Sequence, residues 1–139
     1  MAAIELSPYL NFEGNCREAM EFYKTVFGGK LEISTFAEFG GAPEGYADKV
    51  MHATLTGDDV SFMASDGMPG RPVVFGDSVN ISLAGKDAAK LTKFFEALSA
   101  GGMVTVPLAK QVWGDVFGMC TDQFGIHWLV NIGMDSSKA

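Results

Sequence analysis

Apolar and polar positions along the chain change their period in one order, and the order then repeats. Residues 4–12 alternate as a strand does, with Leu10 and Phe12 on one side and Tyr9 and Asn11 on the other. From Cys16 to Phe27 the period becomes helical, and Cys16, Ala19, Met20, Tyr23, Val26 and Phe27 form one apolar stripe. Asn15 stands where an N-cap belongs, and Glu18 follows three residues later, the pattern of a capping box. Gly28-Gly29 stops the helix, because glycine takes the left-handed conformation without a Cβ penalty. Strands are predicted over residues 30–38, 49–56 and 59–65, with Gly57-Asp58 as the hairpin turn between the last two. After a Pro/Gly-rich stretch the cycle restarts. A strand is predicted over 78–84, then a helix over 88–100 capped by Asp87, with Ala88, Leu91, Phe95 and Leu98 inward. Strands over 103–111, 116–121 and 126–132 close it, and Pro107 marks the first of them as an edge strand or the site of a bulge.

The two cycles match in detail. The segment from Ser7 to Gly14 aligns with that from Ser78 to Gly85, placing Leu10 and Phe12 on Ile81 and Leu83. Phe22-Tyr23 then aligns with Phe94-Phe95, and Gly28-Gly29 with Gly101-Gly102. The spacing grows by one residue per segment, as insertions at loops and helix ends produce in a duplicated chain. The expected fold class is therefore α+β: two tandem βαβββ modules with curved mixed sheets around a central cleft. Within a single domain over 1–139, module one covers 2–66, a connector 67–74, module two 75–133 and a polar tail 134–139. A module of about 65 residues buries too little surface alone, so two must share a core. Helices cover one face of each sheet, and the opposite faces are left to line a ligand cavity.

Composition narrows the partners. The 139 residues are 47% hydrophobic and 19% charged, which is globular and not disordered. A formal charge of −7 with no basic cluster opposes binding to a phosphate backbone, so no nucleic-acid partner is expected. No apolar run reaches the roughly 18 residues of a membrane helix, so no membrane partner is expected either. The first ten residues lack the basic and continuous apolar regions of a signal peptide. Cys16 and Cys120 form neither a CxxC pair nor zinc-finger spacing, which suits a reduced, cytoplasmic protein.

Several motifs carry a resemblance: Pro8-Tyr-Leu-Asn-Phe-Glu-Gly-Asn-Cys-Arg-Glu-Ala19, Phe22-Tyr-Lys-Thr-Val-Phe-Gly-Gly29 and Ala64-Ser-Asp66. Gly101-Gly-Met-Val-Thr-Val-Pro-Leu108, Trp113-Gly-Asp-Val-Phe-Gly118 and Asp122-Gln-Phe-Gly-Ile-His-Trp-Leu-Val-Asn131 extend it over nearly the whole chain. With them the protein resembles the PhnB-like branch of the vicinal oxygen chelate superfamily, which includes glyoxalase I, extradiol dioxygenases and the bleomycin and fosfomycin resistance proteins. The resemblance implies paired βαβββ modules and a homodimer. It also implies, for metal-using members, one ligand early in the first strand and one in the fourth strand of each module, holding a divalent Lewis acid. Those positions fall here on Ser7, Ser78, Met63 and Leu129, which are poor ligands beside imidazole and carboxylate. No metal and no other cofactor is expected. Some members of the branch are named for a demethylubiquinone methyltransferase. No glycine-rich strand-to-helix loop for S-adenosylmethionine is evident, so that activity is not carried over.

The remaining candidates each keep two readings. His52 and His127 are either a general base or metal-ligand pair in an altered place, or hydrogen-bonded histidines lining a half-buried sheet. Asp66 either fixes the connector by an Asx-type bond or is an acid at the cleft mouth. Trp113 is either a wall over a ligand or a core or dimer contact. Glu13 reads as solvated. Cys16, at a helix start, and Cys120 read as inert packing or as activated thiols. No Ser-His-Asp order or phosphate-cradling loop is present. The expected function is a small-molecule-binding protein whose cleft draws on Tyr9, Asn11, His52, Met63, Asn80, Trp113, His127 and Leu129. The alternatives are a metal-dependent lyase, isomerase or dioxygenase of glyoxalase type, and an interaction module. Strands with few charges, and aromatics crowded at Phe75, Trp113, Phe117, Phe124 and Trp128, add a reason to expect a homodimer.

Overall fold

The structure is a computed structural model that describes residues 3–40, 42, 44–67 and 72–133. Residue 2, residues 68–71 of the connector and the tail 134–139 lie outside the described residues. The chain divides into two compact units, Met1–Val74 and Phe75–Ala139.

In the first unit, β1 (Tyr9–Phe12) leads through a short turn to α1 (Cys16–Phe27). Then come β2 (Lys30–Thr35), a three-residue 3-10 turn (Ala37–Phe39), β3 (Val50–Thr56) and β4 (Ser61–Asp66). The sheet order is β1-β4-β3-β2, parallel between β1 and β4 and antiparallel elsewhere. Strand parity decides which face is covered. Leu10, Phe12, Ala53, Leu55, Phe62 and Ala64 are buried, as are Cys16, Ala19, Met20 and Tyr23 of the helix. Tyr23 and Phe27 meet Phe62 edge-on at 5.6 and 6.3 Å. Each large side chain in this layer contributes about 1.5–3 kcal/mol by leaving water.

The second unit repeats the plan with β5 (Ile81–Gly85), α2 (Ala88–Ser99), β6 (Met103–Lys110), β7 (Val116–Thr121) and β8 (His127–Ile132). Its order is β5-β8-β7-β6, again with one parallel pair. Leu91, Phe94, Phe95 and Leu98 of α2 are buried with Cys120, Trp128, Val130 and Ile132 of the sheet. Pro107 sits in the edge strand β6, where the register shifts between Val106 and Ala109. The missing N–H of proline is tolerated there because no ladder partner needs it. Two four-stranded mixed sheets, each with one helix, make the α+β class that the pattern predicts.

The units share a packing device. A Cβ on Gly29 would run into the Thr56 carbonyl, and a Cβ on Gly102 into that of Thr121. In each unit, the glycine after the helix lets the backbone touch the end of the third strand. The backbone also corrects the alignment of the first strands. Tyr9 pairs with Met63 and Ser82 with Leu129. Gly67 N donates to Phe12 O at 2.8 Å, and Gly133 N to Gly85 O at 2.7 Å. Leu10 therefore corresponds to Leu83, not Ile81, and Ser7 to Asn80, not Ser78. A shift of two residues keeps every side chain on its face, so an alternating pattern cannot detect it.

Other expectations are corrected. β1 begins at Tyr9, and Ile4 and Leu6 before it are exposed. β2 ends at Thr35, where the chain turns, and β5 begins only at Ile81. Ala88 is exposed, while Phe94 is buried in its stead. Asn15 makes no side-chain capping bond. The cap of α1 comes instead from Asp66, 3% exposed at the end of β4: its Oδ1 accepts from Gly14 N at 2.7 Å and Cys16 N at 2.9 Å. Its Oδ2 accepts from Val50 N at 3.0 Å. Asp66 thus ties β4, α1 and β3 together, a different role from the local Asx bond expected. Asp87 caps α2 as expected, accepting from Lys90 N at 3.1 Å.

Candidate functional site

With one face of the first sheet under α1, the opposite face carries the side chains of the other parity. Register fixes the rows. Tyr9, Met63 and Thr54 lie side by side on β1, β4 and β3, and Asn11 stands beside Ser65. His52 pairs with Ser34 of β2. The His52 ring joins these rows: its Nδ1 lies 3.5 Å from the Tyr9 hydroxyl and its Nε2 3.1 Å from Thr54 Oγ1. Tyr9 and His52 are also ring neighbours, centroids 5.9 Å apart. With hydroxyls on both nitrogens, the imidazole is a hydrogen-bonded member of the sheet surface, and among the described residues no carboxylate orients it as in a base triad. Four of the sequence candidates, Tyr9, Asn11, His52 and Met63, are thereby brought onto one face.

At the end of this face where β1 and β4 finish lies a pocket of about 520 Å3. Asn11 and Ser65 line it with Phe36, Met51, Asp66 and the chain from Pro72 to Val74. Glu13, expected to be solvated, holds that chain by accepting from Val73 N at 2.7 Å. Sequence reasoning missed Ser65, Met51 and Phe36. Ser65 was within reach by parity, being two residues beyond Met63. Met51 was not: the register shifts opposite it, with Ser34 paired to His52 but Thr35 to Val50. Such a bulge breaks the alternation that parity relies on.

In the second unit, His127, Leu129 and Asn131 alternate with the buried Trp128, Val130 and Ile132. His127 Nδ1 lies 2.8 Å from Thr121 Oγ1, and its Nε2 lies 2.8 Å from the Gly76 carbonyl, to which only an N–H can be donated. Asn80 is exposed, one residue before β5. Trp113 is 48% exposed in the turn between β6 and β7 and meets Phe117 edge-on at 5.8 Å. The buried Asp122 organises the β7–β8 turn: Oδ1 accepts from Phe124 N and Ile126 N, and Oδ2 from Trp128 Nε1 at 2.8 Å. Asp115 accepts from Asn131 Nδ2 at 3.1 Å.

Burial pushes the Cys16 thiol up to about 12 and the Cys120 thiol to about 11, with Asp66 and Asp122 adding to each respectively. Both are free and buried, the state of inert packing. Among the described residues, no three His, Cys, Asp or Glu side chains gather as a metal site requires. None of the helices described is long and apolar enough to cross a membrane.

Residues 4–131 match the family described as 3-demethylubiquinone-9 3-methyltransferase. The crystal structure of protein PA1353 from Pseudomonas aeruginosa is 40% identical over 96% of this chain and 100% of that one, with a TM-score of 0.85. The PhnB protein from Bacillus cereus is 25% identical over 94% of this chain and 100% of its own, at 0.76. A glyoxalase/bleomycin resistance protein/dioxygenase family enzyme from Burkholderia phytofirmans shares the fold at 13% identity, covering 89% of this chain and 95% of that one, at 0.58.

Proposed function

The chain belongs to the 3-demethylubiquinone-9 3-methyltransferase family, whose PhnB-like members share the glyoxalase fold, and on that premise we propose that it is a small-molecule-binding protein without a resident metal ion. One observation carries the reading. The face of the first sheet opposite α1 ends in a pocket of about 520 Å3, the size of small-ligand cavities, and the pocket mixes apolar walls with amide, hydroxyl and carboxylate groups.

Methyl transfer finds less support, despite the family's name. A methyl donor of the S-adenosylmethionine kind carries a carboxylate, which helix N-termini commonly receive. Here both strand-to-helix turns already have a carboxylate of the chain on their N–H groups, Asp66 at α1 and Asp87 at α2. The superfamily's metal positions do not suit a metal either. After correction of the register they are Ser7, Met63, Asn80 and Leu129, which offer a hydroxyl, a thioether, an amide and an alkyl group. His127 and Leu129 on the second sheet, with Asn80 and Trp113 close in sequence to its strands, are the candidates that belong to the second unit. The acidic charge favours a small molecule over nucleic acid. A reducing, cytoplasmic setting and a homodimer belong to the same reading, the first supported by two free buried thiols.

Thermal melting tests it. A ligand that binds only the native state at a hundredfold excess over its Kd stabilises by about 2.7 kcal/mol. Neutral aromatic compounds of one or two rings are expected to raise Tm, while zinc, nickel and manganese leave it unchanged. A rise of several degrees with one of these metals, reversed by chelator and lost in His52→Ala or His127→Ala, overturns the reading in favour of a metal-dependent enzyme.

A further inference from the structure

We propose that the pocket beneath Val73 and Val74 takes an uncharged planar ring carrying a cis-amide edge, a lactam or imide. The proposal rests on the small-molecule reading above and names a ligand class for one part of that face.

Charge comes first. Two carboxylates stand at the pocket, and both are engaged. Asp66 accepts three backbone N–H groups, and Glu13 accepts from Val73 N at the rim. Among the described residues, no lysine or arginine lines the pocket. An anionic ligand would meet two carboxylates and no counter-charge among the described residues. A cation would meet Asp66 with three N–H groups already on its two oxygens and Glu13 with one oxygen already held by Val73 N. A neutral ligand meets neither difficulty.

The polar readers come next. Asn11 and Ser65 are register partners on adjacent parallel strands, so their side chains emerge together. Neither forms a side-chain hydrogen bond with any other described residue. Both line the pocket, although Ser65 is only 9% exposed. An asparagine carboxamide presents an N–H donor and a carbonyl acceptor side by side. Its complement is the same pair reversed, which is the edge of a cis-amide. The Ser65 hydroxyl can donate to or accept from the same edge. The remaining walls are apolar: the Phe36 ring, the Met51 thioether and the valines. Aromatic and thioether groups pack well against a flat ring.

An NMR titration with 2-quinolone, N-methyl-2-quinolone and naphthalene-2-carboxylate separates the claims. These compounds share size and shape but differ in edge and charge. The expected result is saturable movement of the Asn11 and Ser65 amides and the Met51 methyl with 2-quinolone, and binding weaker by about tenfold or more for the other two. Asn11→Leu is expected to weaken 2-quinolone by a similar factor, and Ser65→Ala by less, each with the rest of the amide spectrum unchanged. Should Asn11→Leu perturb the fold, Asn11→Asp keeps the shape, removes the donor and is expected to weaken the lactam likewise. Equal binding of the N-methyl compound, preference for the carboxylate, or no saturable shift at these residues overturns the proposal. Shifts at Tyr9 and His52 alone also overturn it, but leave the small-molecule reading standing, since that reading is tested separately by melting.

Discussion

Asp66 is a charged side chain placed almost out of reach of water, and its neighbours explain why that is tolerable. Three backbone N–H groups from α1, its preceding turn and β3 converge on two oxygens. An amide in its place must turn an NH2 toward one of those donors, so Asp66→Asn is expected to cost about 2–4 kcal/mol in urea denaturation. Asn15→Ala is the control. A working N-cap side chain contributes about 1 kcal/mol, but Asn15 makes no capping bond, so a loss below about 0.5 kcal/mol is expected. The buried thiols yield a second expectation. Their folded values lie above the ordinary 9.0, at about 12 for Cys16 and about 11 for Cys120. Below pH 9 both states keep the protons and the contribution is full. Above it the unfolded thiols ionise first, so stability falls as pH rises from about 9 toward 11 and 12. The slope is at most about 1.4 kcal/mol per pH unit for each thiol. Urea midpoints between pH 8.5 and 10.5 measure it, and the Cys16→Ala/Cys120→Ala double variant should flatten the dependence.

Among the elements, those defined by a side-chain period were legible in the sequence, and those defined by backbone contacts were not. The stripe from Cys16 to Tyr23 gave α1 its bounds because one helix face is buried and the rest is wet. The cap of that helix was unreadable, because the capping residue arrives from β4 through the fold and not from the adjacent residue. Ser65 was legible by parity, whereas Met51 was hidden by the register shift in β3. The glycine pairs were legible as helix stops, and the structure adds a second reason for them. Gly29 combines a positive φ of 94° with contact against the Thr56 carbonyl, so Gly29→Ala is expected to cost about 3 kcal/mol or more. Gly40, with φ 76° and open space around it, isolates the conformational part, and Gly40→Ala is expected to cost about 1–2 kcal/mol. Thermal or urea unfolding of the two variants side by side measures the difference.

At the scale of the whole molecule, apolar side chains remain uncovered in both units: Ile4, Leu6 and Val74 in the first, and Val79, Met103, Val104, Val112 and Trp113 in the second. Met103 and Val104 lie on β6, an edge strand of eight residues whose only charged side chain is Lys110. Apolar surface beside an unpaired strand edge favours association. Sedimentation equilibrium at micromolar concentration is expected to return twice 14.8 kDa, and a mass near 14.8 kDa contradicts the dimer. The repeat that made the two-unit plan readable does not reveal the ligand, because pockets are built from residues whose spacing carries no period.

The central claim is that the face of the first sheet opposite α1 holds a small organic molecule and not a metal ion. Native mass spectrometry of untagged protein, at a resolution that separates organic from metal adducts, tests it most directly. The predicted spectrum carries a stoichiometric organic adduct, absent after denaturation and diminished in Asn11→Leu. A stoichiometric zinc, nickel, manganese or iron adduct, lost in His52→Ala or His127→Ala, contradicts it.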